Sequence, residues 1–148
     1  MSYLLDTNHC SYIINGNSQV TDALKSCAGL TIGVSIITYA ELLYMTEKSA
    51  LKSQNLGAVQ VFLSHVDLYF IDEEIAIIYS HLKASIFNYF APKDKSKRRS
   101  VSIEKLGFSD HDLWIAATAI QHNLTLVSAD SDFRRIHQVQ PFSLESWV

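Results

Sequence analysis

Four acidic residues scattered along the chain share one kind of address. Asp6 follows the apolar run Tyr3-Leu4-Leu5, and Asp130 follows Thr125-Leu126-Val127. Glu41 and Asp112 stand near the starts of stretches with helical character. Each has an ordinary structural use, because acids at helix starts cap backbone N–H groups and complement the helix dipole. Thr38 with Glu41, and Ser109 with Asp112, fit the spacing of a capping box; Asp6 suits an N-cap, and Asp130 or Asp132 suits an Asx turn. Caps, however, need one acid per helix and gain nothing from lying together. Two carboxylates ~5 Å apart repel by about 3 kcal/mol at an effective dielectric near 20, so four that converge must protonate or hold a cation. Oxygen-only ligation suits Mg²⁺ or Mn²⁺ rather than zinc. Such a site makes a bound water acidic enough to attack a phosphodiester in line.

Convergence requires a scaffold that brings these positions to one edge. Short β-rich runs at residues 3–5, 30–34, 66–71 and 125–127, with a last candidate at 139–142, alternate with helical stretches. The helices fall at residues 18–27, from Ser35 or Thr38 through Glu41 to Met45, at 49–65, at 73–90 after Asp72, from Ser109 to about Asn123, and at 133–136. Alternation of this kind predicts an α/β fold with a mainly parallel sheet covered by helices on both faces. In such sheets the loops leaving the carboxyl ends of the strands gather on one edge, where ligands bind. Residues 93–107 have no clear period and read as an exposed connection.

Composition sets the remaining bounds. A chain of 148 residues with 48% hydrophobic and 18% charged content reads as one soluble domain over 1–148. No apolar run approaches the ~18 residues of a membrane span, and Met1 leads straight into a strand without a basic leader, so the expected location is cytoplasmic. Cys10 and Cys27 are too few for a disulfide framework or a zinc site. The net charge of -3 argues against electrostatic coating of nucleic acid, although Lys93, Lys95, Lys97, Arg98 and Arg99 form a local basic run opposed only by Asp94.

Four motifs in order resemble the PIN-domain nucleases, and within them the VapC-type toxins of bacterial toxin-antitoxin pairs. They are Leu4-Leu5-Asp6-Thr7-Asn8, Ser35-Ile36-Ile37-Thr38-Tyr39-Ala40-Glu41-Leu42, Asp112-Leu113-Trp114-Ile115-Ala116-Ala117-Thr118-Ala119, and Leu126-Val127-Ser128-Ala129-Asp130-Ser131-Asp132-Phe133. The resemblance spans nearly the whole chain. It implies a three-layer α/β/α PIN-like domain and a Mg²⁺-dependent endoribonuclease in which Mn²⁺ can substitute. It also implies that Asp6, Glu41, Asp112 and Asp130 are the catalytic and metal-binding acids, and that the partners are RNA and a VapB-type antitoxin. Asp110 and Asp132 are competing acids, read as caps or supporting groups. Thr7 or Ser128 is available to orient a carboxylate. The chain departs from the family pattern in its long basic connection before the third motif.

Other readings remain open at this stage. A free-standing RNA-processing PIN nuclease and a non-catalytic binding module share the same motifs. Haloacid-dehalogenase-like phosphatases also use a strand-end aspartate, but carry a second acid two residues on, where this chain has Asn8. The basic run could steer RNA or simply be a solvated loop. His9 and His111 lie near proposed acids, with a capping or surface role as the simpler reading. Tyr39, Leu42, Leu43, Tyr44, Met45, Leu51, Leu56, Val59 and Phe62 exceed what one small core absorbs, which predicts a homodimer or partner interface there; the resemblance implies that a groove on these helices receives an antitoxin segment.

Overall fold

Strand residues that alternate between two apolar environments build the centre of the molecule. A computed structural model describes residues 2–148. Its strands are β1 (Ser2–Leu5), β2 (Thr31–Ser35), β3 (Asp67–Tyr69), β4 (Thr125–Val127) and β5 (Leu144–Glu145), paired in parallel in the order β3-β2-β1-β4-β5. The helices are α1 (Thr7–Ile14), α2 (Ser18–Ser26), α3 (Ile36–Lys48), α4 (Lys52–Leu63), α5 (Glu73–Phe90), α6 (Lys95–Arg99), α7 (Asp110–Gln121) and α8 (Ser131–Val139).

Successive strand side chains point to opposite faces of the sheet. Leu4 and Leu126 join a core with Leu82 and Ile86 of α5, Leu113, Ile115, Ala116 and Ala119 of α7, and Phe133 and Ile136 of α8. Tyr3, Leu5, Val34 and Val127 pack instead with Cys10 of α1, Val20 of α2, Leu42 of α3 and Val59 of α4. The result is the three-layer α/β/α arrangement expected from the alternation of elements. No helix among the described residues is long and apolar enough to cross a membrane. Both cysteines are free and buried.

The chain runs outward from β1 through β2 to β3, then returns to the other side of β1 as β4. Strand order therefore reverses between β1 and β4, and a crevice opens beyond their carboxyl ends. The register sets Leu5 beside Val127, so Asp6 and Ser128 leave the sheet side by side. The Asp6 N–H donates to the Val127 carbonyl at 3.1 Å, which carries the pairing one residue past the strands.

Several boundaries differ from the sequence reading, among them α8, which runs over Ser131–Val139 rather than 133–136. Ser49 caps the end of α3, and α4 starts only at Lys52. The basic connection contains α6, because the Asp94 carboxylate accepts from the Ser96 and Lys97 N–H groups. Its five residues include no apolar side chain and so show no helical periodicity, and Arg98 anchors it by donating to Asn88 at 2.6 Å and lying over the Phe87 ring. The last strand falls at Leu144–Glu145 rather than 139–142, since Val139 closes α8 and Pro141 follows it.

Gly33 on β2 is a packing requirement. A Cβ there would stand 2.3 Å from Cε2 of Tyr69 and 3.2 Å from the Asp67 carbonyl. Tyr69 is itself partly buried against the core and against His122. Gly33→Ala is therefore expected to cost about 1–3 kcal/mol in urea unfolding, the range for overpacking a filled site; an unchanged unfolding midpoint would show that the Tyr69 ring yields freely.

Candidate active site

Each predicted acid reaches the crevice from a different element. Asp6 is the residue between β1 and α1, and Glu41 sits in the second turn of α3. Asp112 lies in the first turn of α7, and Asp130 is the N-cap of α8. All four line one cavity of about 530 Å³, together with Thr7, Asn8, Tyr44, Met45, Lys48 and His111 among others.

The capping explanations divide sharply between them. Asp6 does cap α1, its Oδ1 accepting from the His9 N–H at 2.7 Å. Asp130 caps α8, its Oδ1 accepting from the Asp132 N–H at 2.9 Å. In both, Oδ2 has no protein hydrogen-bond partner among the described residues. Glu41 caps nothing: Ser35 is the cap of α3, and Thr38 is buried inside the helix. Ser109 caps α7 through the His111 N–H, and Asp112 makes no reciprocal bond among the described residues.

Asp112 is the electrostatic centre. Burial first, and then the charges of Asp130, Glu41, Asp132 and Asp6 in that order, push its carboxyl up to about 7. Burial disfavours the charged form of Asp112, and the four neighbouring carboxylates add to that effect. Oxygens of Asp112, Asp130 and Asp132 lie within 4.8 Å of one another, close enough to share one ion. Asp6 and Glu41 border the same space outside that group.

Asp132, one of the two competing acids, lies beside Asp112 and Asp130. Two positions past the Asp130 cap, it lies in the first turn of α8, where the helix carries both carboxylates toward Asp112. Arg135 faces Asp132 at 3.4 Å, donates to the Leu106 carbonyl at 2.9 Å, and lies over the Phe108 ring. The competing Asp110 does not border the cavity. It accepts from the Tyr79 hydroxyl at 2.6 Å and from Lys83 at 3.0 Å, and these bonds, the tyrosine's first, lower its carboxyl below the usual range.

Supporting polar groups hold the acids in place. Thr7 Oγ1 donates to Glu41 Oε1 at 2.7 Å, bridging α1 and α3, while Ser128 Oγ accepts the Asp130 N–H at 3.0 Å. His111 reaches Glu41 at 3.5 Å from an exposed position. His9 is fully buried and does more than a capping histidine would. Its Nε2 accepts the Trp147 N–H at 3.3 Å, so its Nδ1 carries the proton that it donates to Asp6 Oδ1 at 2.9 Å. Trp147, a residue with no sequence signal for the site, thus ties the end of the chain to the first acid. None of Lys93, Lys95, Lys97, Arg98 or Arg99 borders the cavity.

The donor set is made of carboxylates, with no thiol bordering the cavity, and its crowding leaves negative charge unbalanced. Both features fit a hard divalent cation.

Comparisons with known proteins identify the family. The family model for the PIN domain matches residues 3–138. The chain is 31% identical to a protein named Ribonuclease VapC2 from Rickettsia felis, over 99% of this chain and 98% of that one. It is 29% identical to Ribonuclease VapC2 of Haemophilus influenzae, over 100% of this chain and 99% of that one. Among solved structures, VapBC2 from Rickettsia felis bound to a DNA fragment from its promoter matches with a TM-score of 0.81 at 29% identity, covering 100% of both chains. The chain belongs to the PIN domain family, in which these relatives are VapC ribonucleases.

Proposed function

We propose that the chain is a divalent-metal-dependent endoribonuclease and the toxin of a VapBC-type pair, cleaving RNA phosphodiesters in the cavity shared by Asp6, Glu41, Asp112 and Asp130. The observation that carries this reading is the convergence of Asp6, Glu41, Asp112 and Asp130, delivered from four separate elements, on one cavity. The names of the relatives supply the reaction class.

Asp6, Glu41, Asp112 and Asp130 would hold Mg²⁺, with Mn²⁺ as a substitute, and Asp132, with an oxygen within 4.8 Å of those of Asp112 and Asp130, would join them. A bound divalent ion supplies neutralising charge and a water acidic enough to attack at neutral pH. The chain's own work is orientation. The cap on Asp6 and its bond from His9 both engage Oδ1 and leave Oδ2 without a protein partner among the described residues, while Thr7 holds Oε1 of Glu41.

The antitoxin belongs in the neighbouring groove of about 440 Å³ between α1, α3 and α4, lined by Ile14, Leu42, Met45, Ala58 and Val59 among others. Met45 borders both this groove and the catalytic cavity, so a segment lying in the groove can reach the acids. A homodimer would draw on Leu51 and Val61, exposed on the same helix pair. The basic run sits apart from the cavity, which supports its reading as a solvated surface segment.

Asp6→Asn and Asp112→Asn are expected to fold normally and to lose RNA cleavage by at least about 10²-fold, since each removes charge the site must present; gel assays with Mg²⁺, and with EDTA as the null condition, measure it. Full activity in both variants would overturn the assignment.

Metal-free stability follows from Asp112. Its folded value of about 7 lies above the ordinary carboxylate 3.8, so the native state keeps a proton the unfolded chain has released. Stability is then lost as pH rises from about 4 to 7, with a slope of at most about 1.4 kcal/mol per pH unit. Asp112→Asn should flatten that dependence, and Mg²⁺ should raise the wild-type melting temperature at pH 8 but not that of the variant. Identical pH profiles for the two metal-free proteins would contradict the raised Asp112 value.

His9→Leu removes the donor to Asp6 and is expected to weaken Mn²⁺ binding by about 10–100-fold, with His9→Asn recovering part of it. Calorimetric titration separates this from lost folding; unchanged Mn²⁺ affinity in His9→Leu would reduce His9 to a packing residue.

A further inference from the structure

The acidic cavity raises an electrostatic question, because its proposed substrate is a polyanion. The basic run does not border it, so the attraction must come from elsewhere. Among the described residues, Lys48 is the one Lys or Arg that lines the cavity. It has no ion-pair partner among those residues, as the adjacent Glu47 is taken by Lys52 at 2.8 Å. Its Nζ lies 4.7 Å from the centroid of the Tyr44 ring. Tyr44 is 63% exposed and also borders the cavity, which leaves its ring open to a ligand there.

Helical spacing explains the arrangement. Positions 41, 44, 45 and 48 of α3 fall on one face, at intervals of three and four residues. That face begins at the Glu41 carboxylate, continues with the Tyr44 ring and the Met45 side chain, and ends at the Lys48 ammonium. Glu41 and Lys48 are seven residues apart, which is about 10 Å along a helix axis. This is a span on which one nucleotide and its flanking phosphate can lie.

We infer that Tyr44 and Lys48 form a nucleotide subsite beside the catalytic acids, in which a base of single-stranded RNA stacks on the Tyr44 ring and an adjacent phosphate pairs with Lys48. An aromatic face accepts any base, and one ammonium offsets part of the carboxylate field on the substrate's path. The subsite holds the flanking nucleotide, not the scissile bond, so it contributes to binding and leaves the chemical step alone. This rests on the ribonuclease reading and names which residues receive its substrate.

The test uses the full chain and a fluorescein-labelled single-stranded RNA of mixed sequence about 12 nucleotides long. Anisotropy titrations are made on an Asp6→Asn background, where the RNA stays intact. Tyr44→Ala is expected to weaken binding about tenfold, the scale of one base-stacking contact, and Tyr44→Phe to keep it. Lys48→Gln should lower the slope of log affinity against log salt by about 0.7, the value for one phosphate contact on a single strand. A Lys95→Gln/Lys97→Gln control should leave both readouts unchanged. With Asp6 restored, Tyr44→Ala and Lys48→Gln should raise KM for cleavage and leave kcat within about twofold. Wild-type affinity in both variants, equal loss in Tyr44→Phe and Tyr44→Ala, or a loss confined to kcat would overturn the subsite. If the unsubstituted chain binds this RNA through Tyr44 and Lys48 but cuts no RNA with Mg²⁺ or Mn²⁺, the subsite stands and the ribonuclease reading falls.

Discussion

Repulsion among carboxylates is the constraint around which the rest of the molecule is arranged. Left alone, acids gathered in one crevice would drift apart or take up protons, and at Asp112 burial first and then the neighbouring carboxylates raise the carboxyl to about 7. The fold keeps them together by delivering each from a rigid element: the ends of β1 and β4, the first turns of α7 and α8, and the second turn of α3. Reversal of strand order between β1 and β4 is what leaves space for them, because the helices that follow these strands go to opposite faces of the sheet. The apolar cores on both faces supply the free energy that holds this arrangement against its own charge.

Capping and chemistry turn out not to be rival explanations for an acid at a helix start. Asp6 and Asp130 each spend Oδ1 on a backbone N–H, and this fixes the carboxylate within a helix whose dipole favours its negative charge. The remaining oxygen is then aimed by the cap. A side chain that merely hung into the cavity would lose rotamer freedom on binding an ion, whereas a capping carboxylate has lost it on folding. Glu41 and Asp112 lack that support and receive it from Thr7 and from burial in the first turn of α7.

Much of this was legible in the sequence because it depends on local patterns. The four acids follow or precede strongly apolar segments, and β1, β4 and α7 announce themselves by composition alone. What was not legible depends on distance. Asp132 looks like a turn residue until α8 is seen to start at Ser131, which sends it toward Asp112. The separation of Asp110 from Asp112 is decided by Tyr79 and Lys83, which lie on α5 some thirty residues earlier. The link from Trp147 through His9 to Asp6 joins the two ends of the chain, and no spacing rule anticipates a bond across 138 positions. The short strand β5 that positions Trp147 was itself displaced from its expected place by the length of α8.

The fate of the basic run carries a similar lesson about charge. Five cations between positions 93 and 99 dominate a reading of the sequence, but Arg98 is engaged with Phe87, Asn88 and Pro92, and the segment lies off the cavity. Lys48 is a single residue in an unremarkable stretch, yet helical geometry puts it on the face that Glu41 begins. A field falls off within about 8 Å at physiological salt, so one ammonium bordering the cavity acts on a phosphate there more strongly than several held farther away. For a chain of net charge -3, position along α3 rather than the number of basic residues decides where a polyanion can approach the acids.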